Sequence, residues 1–176
     1  MSLDPLRSRT DQKLRFARLH LGEFDSQPAG HGHDFERAHQ EAFLAQLFGA
    51  YAALLQELNH ELDCALEPGG VSLGKMRKIL QESNRSSALL RELYELEQDQ
   101  SGWFSQAKEM RDHTTHVSGL ALSYHVNGPH AGVVVLRPPK RGTKTEHIID
   151  FKDLLAGWLD KMESLVQRFR RDGDVG

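Results

Sequence analysis

A chain of 176 residues, 39% hydrophobic and 27% charged, is long enough to bury a core without cross-links and has the composition of a soluble globular protein. Its formal charge of −3 excludes capture of nucleic acid by a uniformly basic surface, and no apolar run reaches the roughly 18–20 residues that cross a bilayer. The lone Cys64 excludes an intrachain disulfide, and the opening MSLDPLRSRTDQKLR lacks the apolar segment of a secretory leader, so a cytoplasmic location without membrane association is expected.

The first stripe, Leu14, Ala17, Leu21 and Phe24, steps by three and four and predicts a helix over 10–24 with Ser8 or Thr10 as N-cap. SQPAGHGHD then reads as a loop. Leu44, Leu47, Phe48, Tyr51, Leu55, Leu58, Leu62 and Leu66 continue one helical period across 34–66. Such a helix is about 45–50 Å long, enough to span the domain or project into a partner. Its small residues (Ala42, Ala45, Gly49, Ala50, Ala52 and Ala53) let a neighbouring helix approach closely, and Pro68-Gly69-Gly70 marks its end.

Ser72 caps a short helix to about 82, Ser83–Ser86 is a turn, and a further helix runs from Ser87 to about 98. The next helix is expected within GWFSQAKEMRDHTTHVSG, residues 102–119, with Ser101 as its N-cap. Beyond Gly119 the period changes. Residues 120–126 and 132–136 are apolar and flank Asn127-Gly128, a hairpin signal. A basic loop, KRGTKTEH, follows, and Asp150 caps a last helix carrying Phe151, Leu154, Leu155, Trp158, Met162, Leu165, Val166 and Phe169. The expected fold is mainly α, a single domain over 1–176: a bundle of about five to six helices, one very long. A small β-hairpin over about 120–137 is inserted before the C-terminal helix.

One cluster has a chemical use. Three arginines precede a histidine with four or five residues between them: Arg15…His20, Arg111…His116 and Arg141…His147. Phe16 follows the first and Gly142 the last, whereas Asp112 follows Arg111, and only this pair lies on a late helix of the bundle. The pattern Arg-polar-x-x-x-His in a compact helical domain resembles the HEPN superfamily. The resemblance implies a homodimer whose protomers join their motifs into one composite site. It also implies a metal-independent endoribonuclease of toxin or defence type, an RNA substrate, and a cognate antitoxin or other partner protein. Arg111 and His116 would then be the catalytic pair, with Asp112 the polar residue beside the arginine.

The chemistry of those residue types is coherent. Attack by a 2′-hydroxyl on the adjacent phosphate needs proton transfer and stabilisation of negative charge. Histidine titrates near neutrality, and arginine presents a permanently charged fork of donors. Asp112 and His116, four apart, share a helical face on which the carboxylate can orient the imidazole. Lys140, Arg141 and Lys144 are the candidate substrate-binding residues, bordering the groove with phosphate contacts.

No cofactor and no metal are expected. His31-x-His33 with His39 sits in a glycine-rich loop without the ligand set of a zinc site. Metal-dependent bundle enzymes, recognised by Glu-x-x-His pairs on long helices, are not expected either. Tyr94, Trp103, Phe104 and Trp158 read as core. The alternative to the ribonuclease is a non-catalytic, dimeric helical-bundle interaction protein that uses the long helix as its partner surface.

Overall fold

Leucine and phenylalanine at every third or fourth position make the second helix the axis of the molecule. In the computed structural model, which describes residues 2–23, 32–116, 122–124, 134–136 and 151–172, this helix is α2, Gly32–Glu61. Its 30 residues extend about 45 Å. α1 (Asp4–Glu23) lies antiparallel beside it: Arg7 pairs with Glu61 at one end and His20 meets His39 at the other. α3 (Leu73–Glu82) and α4 (Ala88–Gln98) form an elbow, and α5 (Trp103–His116) and α6 (Phe151–Asp172) pack against α2. The core joins Phe43, Leu44, Leu47, Leu54 and Leu58 of α2 to Phe104 and Met110 of α5 and to Trp158, Met162 and Phe169 of α6. Each such side chain contributes roughly 1.5–3 kcal/mol on burial. Trp158 and Phe104 are core as expected, while Tyr94 and Trp103 are partly buried against it.

Local chemistry sets the ends. Ser72 and Ser87 cap α3 and α4, accepting from the amides of Lys75 and Leu90. α1 begins six residues before the expected start, because Asp4 and Pro5 occupy a first turn that tolerates both an acid and a missing N–H. Thr10 is therefore no cap; it is buried within the helix. α2 stops five residues before the expected end. Asp63 takes φ 47°, the Cys64 amide donates to the Asn59 carbonyl and the Asp63 amide to that of His60, which closes the helix in a Schellman turn. The Asn59 side chain then clamps the Leu66 backbone from both sides. Asn84, at φ 57°, ends α3 in the same way. Ser101 does not cap α5 either: its amide and hydroxyl both donate to Asp99, and Gly102 is the residue whose carbonyl accepts the Gln106 amide.

The fold class needs correction: it is all-helical, and the expected β-hairpin insert is not part of the architecture. Among the described residues, extended pairing is confined to two three-residue segments, β1 (Leu122–Tyr124) and β2 (Val134–Leu136), antiparallel with Leu122 opposite Leu136 and Tyr124 opposite Val134. Residues 125–133 between the paired segments, Asn127-Gly128 included, lie outside the described residues. The physical reason for the correction is in the sequence. A turn on Asn127-Gly128 would place Pro129 opposite Val126, and proline has no N–H to donate.

Candidate functional site

α5 is helical because Phe104, Ala107 and Met110 recur on the face turned to the core. Arg111, one residue further, emerges at the edge of that face. Its guanidinium lies 4.4 Å from the centre of the Phe48 ring, while Nε and Nη2 both donate to Asp112 Oδ1 at 2.9 and 2.5 Å. The arginine side chain is 34% exposed and the aspartate 45%. Asp112 thus binds the arginine beside it in sequence. Thr114 Oγ1 donates to the Arg111 carbonyl and fastens the same turn. His116 is the last residue of α5. Its side chain, and Lys140, Arg141 and Lys144 entirely, lie outside the described residues. The structure brings Arg111 and Asp112 together, and the side chains of the other four residues of the expected site lie outside the described residues.

A second feature lies on the α1–α2 pair. Leu14 and Ala17 point inward, so Phe16 and Leu19 turn away from the core, 37% and 63% exposed. On α2 the exposed Ala38, Ala45 and Ala52 and the half-buried Ala42 and Gly49 share one stripe. The Lys13 side chain, anchored to Gln46 Oε1 at 2.9 Å, runs alongside Gly49 and connects this stripe to α1. The off-stripe positions of Phe16 and Leu19 were the signal for this surface in the sequence.

Sequence reasoning also passed over a histidine pair. His20 Nδ1 and His39 Nδ1 are 3.2 Å apart, and the Phe35 ring stands 4.3 Å from that of His39. Burial first, then the neighbouring His39, holds the His20 imidazole below its ordinary pKa, and Glu23 acts in the opposite direction. Nor is α2 without Glu-x-x-His pairs: Glu36…His39 and Glu57…His60 both have that spacing. Even so, among the described residues no three histidine, cysteine, aspartate or glutamate side chains form a metal-binding group. Tyr51 donates to Glu97 Oε1 at 2.9 Å, and its phenol is pushed far up by burial and by that carboxylate.

These elements define an all-α bundle built on a long central helix, with no described helix long and apolar enough to cross a membrane. The chain belongs to the DUF6586 family, a family of unknown function, which matches residues 1–174. No curated protein and no solved structure matches it.

Proposed function

We propose that the protein is a non-catalytic helical-bundle interaction protein that pairs with a second copy of itself through the outer face of α1 and α2. The observation that carries this reading is the exposure of Phe16 and Leu19 beside the small-residue stripe of α2. Large apolar side chains grouped on a surface mark interaction sites, and alanine and glycine let two helices approach to short interaxial distances. The two-fold arrangement inserts Leu19 of each protomer between the small residues of the other. The engagement of Arg111 by Asp112 occupies two of the donors that a phosphate would take, which weighs against the enzyme reading in comparison. Light scattering on a sizing column tests it: a dimer at micromolar concentration, converted to a folded monomer by Leu19→Arg, is expected. A monomeric wild type overturns it.

The second reading is the HEPN-like ribonuclease, favoured by Arg111 standing fixed and partly exposed near the end of the helix that carries His116. Its test is RNA cleavage in excess chelator. Products with 2′,3′-cyclic ends, lost in both Arg111→Ala and His116→Ala, support it, and equal activity in the variants removes it.

A further inference from the structure

The elbow between α3 and α4 forms an open, solvent-facing cavity of about 640 Å³ whose charged lining residues are all arginines: Arg77, Arg85 and Arg91. The carboxylates closest in sequence are used elsewhere, Glu82 with Lys78 at 3.8 Å and Glu92 with Arg168 at 2.7 Å. Two of the three guanidiniums are held in place by uncharged partners. Arg77 stacks 3.8 Å from the centre of the Tyr94 ring, and Arg85 donates through Nη2 to the Leu62 carbonyl. Each contact leaves further donors of a five-donor group available to the cavity. Arg91 forms no ion pair among the described residues.

Asn84, Ser86 and Ser87 line the same cavity, and α4 starts at its wall. Among the described residues Ser87 Oγ accepts the Leu90 amide alone, while the amides of Ala88 and Leu89 occupy positions that have no acceptor within a helix. Leu80, Ala88 and Leu90 supply an apolar side. Three like charges around one concavity, with no carboxylate among the lining residues, favour an anion strongly. Planar guanidinium forks pair bidentately with carboxylate and phosphate oxygens alike, and three of them around one concavity suit the several charges of a polyphosphate.

We propose that this cavity binds a phosphorylated small molecule of nucleotide size, with its phosphates on Arg77, Arg85 and Arg91 and its uncharged part against Leu80, Ala88 and Leu90. Inorganic phosphate alone would fill a small part of the volume, which is in the range of ordinary small-molecule sites. The proposal is independent of the pairing surface on α1 and α2 and of the Arg111 motif.

The test uses the full chain and calorimetric titration at physiological salt with pyrophosphate, a nucleoside triphosphate, the unphosphorylated nucleoside and a single-stranded oligoribonucleotide. Saturable binding of the triphosphate, weaker binding of pyrophosphate and none of the nucleoside is expected. The amide resonances of Ser86, Ser87, Ala88 and Leu89 should shift with the same midpoint. Arg91→Gln, which removes no described contact, should weaken binding by about tenfold or more, and Arg77→Gln likewise, with unfolding midpoints measured to show that each variant is folded. Failure of both pyrophosphate and the triphosphate to bind overturns the proposal, as does binding unchanged in both variants. Binding of the oligoribonucleotide alone also overturns it, in favour of a polynucleotide surface.

Discussion

Arg170 on α6 and Glu57 on α2, 113 residues apart in sequence, meet through two parallel bonds, Nε to Oε2 and Nη2 to Oε1, both 3.1 Å. Glu57 is completely buried. Thr10 of α1 donates to the same carboxylate, and Arg170 reaches Asp11 at 2.8 Å and the Arg7 carbonyl at 3.1 Å. One arginine therefore fastens the last helix to the first two. The burial that would make either charge costly is offset because each has several partners, and those partners hold the Arg170 guanidinium protonated, above its ordinary pKa, against burial that acts to lower it.

Removing one member leaves the other buried and uncompensated. Arg170→Leu should cost about 3 kcal/mol in urea unfolding, and Glu57→Met with Arg170→Leu should recover much of that loss. Equal midpoints for wild type and Arg170→Leu would show that the network adds nothing to the fold.

Gly157 lies inside α6, where a Cβ would meet nothing within 4 Å. Alanine there removes the backbone-entropy penalty of glycine without a clash, so Gly157→Ala should stabilise by about 1 kcal/mol. The contrast is Gly102, where a Cβ would stand 2.6 Å from Asp99 Oδ2, in the turn that starts α5. Gly102→Ala should destabilise. Thermal melts of the two variants check both signs.

Cys64 is buried in the turn after α2. Burial first, and the charge of Asp63 in addition, push its thiol up, although Arg85 acts against them. At neutral pH the thiol is protonated and covered, so a disulfide reagent should react slowly with the folded chain and at once with the chain in urea. Rapid stoichiometric labelling of the native protein would contradict this packing.

Much of the helix pattern was legible because it rests on local rules. Ser72 and Ser87 announce α3 and α4, Phe151 to Phe169 trace the buried face of α6, and the leucines of α2 show its period. The misplaced boundaries depended on contacts or conformations a period does not encode. Asp63 and Ala65 adopt positive φ without being glycine, and the turn that ends α2 is held by the Asn59 side chain. Glu57 sits between Leu54 and Leu58 on an apolar stripe, a misplaced charge whose partner, Arg170, no local pattern could supply. For the candidate site, sequence spacing placed Arg111 and Asp112 on α5 correctly. It put Asp112 and His116 on one face of that helix, four residues apart, and did not foresee that the adjacent guanidinium would hold the Asp112 carboxylate.

The His20–His39 pair gives the protein a specific response to acid. His20 is held below its ordinary value of about 6.5. As pH falls through that value the unfolded chain takes up a proton that the folded chain resists, so the unfolded state binds more protons across the window from there down to the lowered native value. Stability therefore falls with falling pH in that window, and the contribution is fully present only above it. Glu23 opposes the shift, and His39, 3.2 Å away, reinforces it. His20→Gln removes the titrating group while keeping a polar side chain. Urea midpoints measured between about pH 7 and 5 should decline less steeply for His20→Gln than for wild type. Carboxylates that titrate at the bottom of that range are common to both proteins, so the difference between the two curves isolates the imidazole. Parallel curves would mean that His20 is as easily protonated in the folded chain as in the unfolded one, and that its contact with His39 imposes no electrostatic cost.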